Sequence, residues 1–174
     1  MLQPNALVTK NQAKDRLGIT GNGQDARIEA LINAASDWVE AYCRRGFHEA
    51  TVTEVHTAKH YLNVRRPPIV DLVKSPGYVL HDAKAGILHS PYYTRYEHVT
   101  IEYKGGFDDI PAMVQEAALI IIQDWFTNNN PAGELQSFRE GEISGTRAER
   151  INPAVPNSAV GLLTPYRLPV VVLP

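Results

Sequence analysis

What the chain has little of narrows its chemistry first. A single cysteine, Cys43, in 174 residues excludes an intramolecular disulfide and a cysteine-rich zinc site, and fits synthesis in a reducing cytosol. No stretch is apolar for the roughly 20 residues that a membrane span needs, and MLQPNALVTKNQ at the N-terminus lacks the apolar core of a signal peptide. A soluble protein, not exported by a cleaved signal, is expected. Missing too are the G-x-S-x-G elbow, the P-loop and G-x-G-x-x-G; Gly21-Asn22-Gly23 and Gly105-Gly106 read as turns.

Charge of one sign is also absent. The formal net charge is −2, with four basic and five acidic side chains in 1–43, nine and six in 44–104, and four and eight in 105–174. None of these segments concentrates the positive charge that neutralises many phosphates, so sequence-specific DNA binding is not expected. Arg44-Arg45 and Arg65-Arg66 could meet phosphates, but paired arginines more often form a solvated face or an intersubunit salt bridge. The apolar content of 44% is enough for the core of one domain with arms.

Six histidines raise a metal hypothesis, and His56 and His60 have the i, i+4 spacing of two ligands on one helix face. Their surroundings read as strand and turn, where that spacing does not converge, so they are taken as structural or exposed. Cys43 lies on the apolar face of a helix, where a thiol behaves as a small hydrophobe. Asp108-Asp109 sits at a helix start, where capping accounts for both. No catalytic, cofactor-binding or metal-ligating residue is assigned, and no enzyme activity is expected.

What is present is helical at both ends and extended in between. Thr9-Lys-Asn-Gln12 has the form of a capping box and predicts a short helix from about Lys10 to Leu17. A second helix is expected from Asp25 to about Arg44. Ile28, Leu31, Ile32, Ala35, Trp38, Val39, Tyr42 and Cys43 share one of its faces, with Glu29, Asn33, Ser36, Asp37 and Glu40 opposite. Ala26, Ala30, Ala34 and Ala41 form a third strip, which either admits a close helix neighbour or reflects helix propensity alone. Gly46 is the expected left-handed cap. From Thr51 to Lys104, TVTEVHT, HYLNV, IVDLV, GYVLHD, GILHS and HVTIEYK are short β-rich runs between turn signals, consistent with a small inserted antiparallel sheet.

The strongest helix signal is FDDIPAMVQEAALIIIQDWFTNNN, 107–130, with Asp108 and Asp109 as capping candidates and Pro111 in its first turn. Its apolar arc is nearly twice the roughly 100° stripe of a surface helix. It is therefore central, either within its own subunit or also against a neighbouring one. Residues 131–156 lose periodicity and read as an extended arm. Asn157 or Ser158 can cap a last short helix, and 157–174 ends in an apolar tail. The expected fold is mainly α in an α+β frame: a small helical bundle over 1–130 with an inserted antiparallel β region at about 51–104, then the C-terminal arm.

That order, with VTIEYKGGFDDIPAMVQEAALIIIQDWF and the closing LLTPYR as its most specific pieces, resembles the head-tail connector, or adaptor, proteins of long-tailed bacteriophages. The resemblance implies a homo-oligomeric ring, usually a dodecamer, in the virion neck. Such a ring binds the portal, carries a stopper or another neck or tail protein, and passes double-stranded DNA without reading its sequence. No membrane is involved. Alternatives are another neck or tail completion protein, a small soluble enzyme, or a DNA-binding regulator. On the connector reading, portal docking is expected from Leu162, Leu163, Tyr166, Arg167, Leu168, Val170, Val171, Val172 and Leu173. Ring contacts are expected from Ala26, Ala30, Ala34, Leu119, Ile122, Phe126, Arg139 and Glu142.

Overall fold

The structure, a computed structural model, describes residues 1–91, 98–128 and 154–169, together with the backbone of 137–140 and 143–146. In chain order the elements are α1 (Lys10–Leu17), α2 (Asp25–Cys43), β1 (Ala50–Thr57), β2 (Tyr61–Asn63), β3 (Ile69–Lys74), β4 (Val79–Asp82), β5 (Ile87–His89), β6 (His98–Gly105), α3 (Ala112–Asn128), β7 (Ser137–Glu140), β8 (Ile143–Thr146) and α4 (Asn157–Leu163), with a 3-10 turn at Thr164–Tyr166. They form two units. One contains Met1–Cys43 and Ala112–Arg167, the other Arg44–Pro111 and Leu168–Pro174.

In the helical unit, α1 begins on the expected capping box. Thr9 Oγ1 accepts from the Gln12 amide at 3.2 Å, and Gln12 Oε1 accepts from the Thr9 amide at 2.8 Å. Gly18 closes the helix in the left-handed conformation. Ile28, Ile32, Ala35, Val39 and Cys43 turn one face of α2 inward, and α3 packs against α1, α2 and α4. That three-sided packing accounts for the wide apolar arc of α3, where Val114, Ala117, Ala118, Ile121 and Ile122 are all buried. Two expectations about its start fail: α3 begins at Ala112, after Pro111, and Asp108 and Asp109 lie in a bend ahead of it.

The polar side of α2 is occupied too. Residues 1–7 are strapped along it: the Met1 ammonium meets Glu29 at 2.6 Å, Asn33 accepts from the Gln3 amide at 3.0 Å, and Asn5 donates to Asp37 and Glu40. Ser36, placed by periodicity on the solvent side, has no exposed surface. Its Oγ accepts from the Leu7 amide at 3.0 Å and donates to the Ile32 carbonyl at 2.8 Å, so burial leaves it satisfied.

The second unit holds all six expected strands, in two antiparallel sheets instead of one: β1-β6-β3 and β2-β5-β4. The alternation expected in β6 holds, with Val99, Ile101 and Tyr103 facing a core shared with Leu62, Val64, Ile69, Tyr78 and Leu88. Gly105 and Gly106 are both required by close backbone approach. A Cβ on Gly105 would strike the Arg66 carbonyl, and one on Gly106, at φ 112, would strike the carbonyl of His48. Phe107 then pairs with Phe47, its amide donating to the Phe47 carbonyl at 2.7 Å and the rings stacking at 6.3 Å. After α2 the left-handed residue is Arg44, at φ 58, in place of the expected Gly46. At Gly46 a Cβ would meet the Arg66 guanidinium, the movable end of a flexible side chain, so the close approach there is to a side chain and not to backbone.

Residues 131–156, read as an arm without regular structure, include the paired strands β7 and β8. Segments 131–136, 141–142 and 147–153 of that arm lie outside the described residues. Helix α4 forms where expected, but its N-cap position is Pro156 and carries no side-chain cap.

Candidate assembly surfaces

The expected ring-contact residues divide by burial. Ala26, Ala30 and Ala34 are exposed on α2, as is Ala41 further along the strip, leaving a smooth small-residue surface. On α3, Leu119 and Phe126 are half-buried, and the Arg27 guanidinium lies 4.3 Å from the Phe126 ring centroid while its Nη2 donates to the Phe126 carbonyl at 3.1 Å. Ile122 has no exposed surface, which removes it from any contact face of this conformation: its side of α3 packs inside its own unit. Arg139 lies on β7, paired in register with Ser144, and Glu142 lies outside the described residues.

The expected portal-docking residues divide similarly. Leu163 is fully buried, with its carbonyl 3.9 Å from Cys43 Sγ, so it is core of the helical unit and not a docking contact. Leu162, Tyr166 and Leu168 are half-buried, and Arg167 is exposed with its guanidinium 4.8 Å from the Tyr42 ring centroid. The Leu168 carbonyl accepts from Arg44 at 3.3 Å. Val170, Val171, Val172 and Leu173 lie outside the described residues.

An apolar surface that periodicity missed belongs to the β unit. Val55, Tyr61, Val70, Val73, Val79 and Leu80 are each at least 46% exposed. Val55 stands outside because the inward position beside it in β1 is taken by a carboxylate, Glu54, which is 8% exposed. Glu54 accepts from the Tyr103 hydroxyl at 2.5 Å, from the Arg65 amide at 3.1 Å, and pairs with His56 Nε2 at 2.9 Å. Burial pushes its pKa up, and the hydrogen bonds from His56, Tyr103 and Arg65 outweigh that, holding the carboxyl below its usual range. Burial and the adjacent Glu54 carboxylate raise the Tyr103 hydroxyl well above its own. The Tyr103 oxygen also accepts from the Arg66 amide at 3.0 Å. Tyr103 lines the core and the Arg65 and Arg66 amides belong to the segment after β2, so the network ties that segment to β1 and β6.

Asp25 and Glu29 are the other displaced carboxylates among the described residues. Lys10 and Lys14 lower Asp25, and the chain-terminal ammonium and Lys10 lower Glu29. These pairs join α1 and the N-terminal strap to α2. Among the described residues, no group of three or more His, Cys, Asp or Glu side chains is placed to hold a metal ion, and no helix is long and apolar enough to cross a membrane.

The sequence profile of the head completion protein family matches residues 6–168. No curated protein sequence matches the chain. Among solved structures, the fold is similar to a chain in the neck of an empty gene transfer agent particle computed with C6 symmetry, with TM-score 0.63 and 14% identity over 99% of this chain and 95% of that one. It is also similar to a chain in the virion of the native particle, with TM-score 0.61 and 15% identity over 99% and 95%. A third likeness, to a chain of the native neck computed with C12 symmetry, has TM-score 0.60 and 15% identity over 99% and 94%.

Proposed function

The chain belongs to the head completion protein family, and from that premise we propose that it is a structural component of a virion neck. In this reading it is a head-tail connector that closes into a ring, binds the portal on one side and carries a stopper or other neck or tail protein on the other. The observation that carries the proposal is the family match over 6–168, nearly the whole chain. The fold is similar to chains from gene transfer agent particles, two of them in necks computed with C6 and C12 symmetry, and a ring of twelve is the copy number of this reading.

A closed ring uses heterologous contacts, one patch of a subunit meeting a different patch of the next. The exposed alanines of α2 fit one side of such a contact, because small side chains let a partner helix approach closely. Leu119, Phe126 and Arg139 remain candidates beside them, with Glu142. Portal docking is assigned to Leu162, Tyr166, Arg167 and the tail from Leu168 through Val170, Val171, Val172 and Leu173, an apolar segment that gains little burial without a receiving partner. The acidic excess of 105–174, eight acidic against four basic side chains, supplies no positive stripe and suits a channel through which DNA passes without being gripped or read. The role is structural and not enzymatic.

The test is assembly without this chain. Heads and tails should accumulate separately, and adding the purified protein should restore joining. Normal tailed particles in its absence would contradict the proposal.

A further inference from the structure

Three imidazoles crowd the outward face of the small sheet β2-β5-β4. Tyr61, His89 and Val79 are register partners across its three strands and share that face, while Leu62 and Leu88 of the next row are buried. His60 precedes β2, and its carbonyl accepts from the Ser90 amide at 2.9 Å. The His60 ring centroid lies 4.6 Å from that of His89, and the ring of His81, in β4, lies 6.1 Å from His89. The Tyr61 ring sits among them, 5.3 Å from His60, 5.4 Å from His81 and 4.8 Å from His89.

His60 Nε2 and His89 Nε2 are joined by a hydrogen bond of 3.2 Å. Whichever ring donates, the other must present an unprotonated nitrogen, because an imidazolium has no acceptor. The bond therefore exists only while at least one of the pair is neutral. Among the described residues, the charges that act on His89 are those of His60 and His81, and both oppose its protonation. The single carboxylate on the three strands, Asp82, accepts from the Ala85 amide at 2.9 Å in the turn after β4. Lys59, beside His60, and Lys84, in that turn, are cations. Partial burial, and then the charges of His60 and His81, hold the His89 imidazole below its ordinary range.

We propose that this pair is an acid-sensitive lock, which fastens the segment before β2 to the central strand β5 while one imidazole is neutral and releases it when both are protonated. The sheet it fastens is slight. Its strands are only three or four residues long, so a side-chain link adds materially to few ladder bonds. With the His89 pKa lower folded than unfolded, the unfolded chain takes up the proton first as pH falls. The stability that rests on a neutral His89 is complete above about pH 6.5, the unfolded value, and declines as pH drops from there through the folded value. That window opens above the one in which Glu54 titrates, so acid weakens the small sheet first and the Glu54 network afterwards. The lock is independent of the neck assignment, because it uses only side chains of one chain.

The experiment is histidine titration of the full-length protein by NMR, paired with amide exchange corrected for its intrinsic pH dependence. His60 and His89 should titrate as a coupled pair in two apparent steps, one of them below the ordinary histidine value. Between about pH 7.5 and about pH 5, β2 and β5 should lose protection while β1 and β6 keep theirs. His60→Gln and His89→Gln, whose carboxamides hydrogen-bond without titrating, should each abolish that loss, with circular dichroism establishing that each variant folds. His98→Gln, outside the cluster, should behave as wild type. Independent single-step titration of His60 and His89 at the ordinary value would overturn the lock, and needs no variant. Unchanged protection of β2 and β5 in the wild-type protein, or an equal loss in wild type and both folded glutamine variants, would overturn it too.

Discussion

Replacing Leu163 by alanine separates core from docking surface at the C-terminal end of the helical unit. Leu163 is fully buried, its helix α4 packs on α3, and its carbonyl lies against the Cys43 thiol. Truncating a buried leucine removes its transfer energy and leaves a cavity, at a cost of about 2–5 kcal/mol. In a chain of this size each kcal/mol moves the melting temperature by roughly 2–4 °C, so Leu163→Ala should melt about 4–20 °C below wild type. The assay is thermal melting by far-UV circular dichroism, which follows the helices, together with portal pull-down at a temperature where both proteins are folded. Folded Leu163→Ala should still bind portal. A chain ending at Arg167 loses Leu168, which is half-buried, and the tail beyond it, so it should melt close to wild type and lose portal binding. The reasoning fails if Leu163→Ala melts like wild type. The docking assignment fails if the truncated chain melts much lower yet binds portal normally.

Three other substitutions probe separate links. Glu54→Gln should cost about 1–3 kcal/mol at neutral pH, because it weakens a buried acceptor of three hydrogen bonds. The Glu54 pKa is lower folded than unfolded, so its contribution is complete above the unfolded value and is lost as pH falls through the folded one. The melting gap between wild type and variant should therefore narrow below about pH 4, and a gap independent of pH would refute this account. Gly106→Ala should lower stability by at least about 2 kcal/mol, since it adds a positive-φ penalty to a clash with the His48 carbonyl; unchanged denaturant unfolding would show the turn to be adaptable. Ala30→Arg, on exposed helix, should alter melting by no more than about 0.5 kcal/mol while blocking ring formation on purified portal, and normal rings would remove the alanine strip from the interface.

Local signals in the sequence reached as far as local causes do. The capping box at Thr9, the bounds of α2 and the six strand runs rest on short-range hydrogen bonding and side-chain period, and the structure reproduces them. Periodicity describes polarity but not what covers it, so it placed Ser36 in solvent and could not foresee the strap of residues 1–7 along α2. In TVTEVHT the two valines have opposite parity. Only tertiary partners, Tyr103 and the Arg65 amide, decide that Glu54 turns in and Val55 turns out. Division into two sheets depends on strand pairing, which the spacing of residues along the chain does not encode. Ile122 and Leu163 were assigned to outside partners because a wide apolar arc and an apolar chain end do not by themselves distinguish self-burial from assembly.

The central claim is most directly tested by a reconstruction of the neck from particles containing this protein, made without imposed symmetry. The account expects twelve copies in one closed ring around the DNA channel, with the α2 alanine strip of each subunit facing its neighbour. A single copy off the axis, or a ring whose contacts leave that strip in solvent and the tail from Leu168 onward away from the portal, would contradict it.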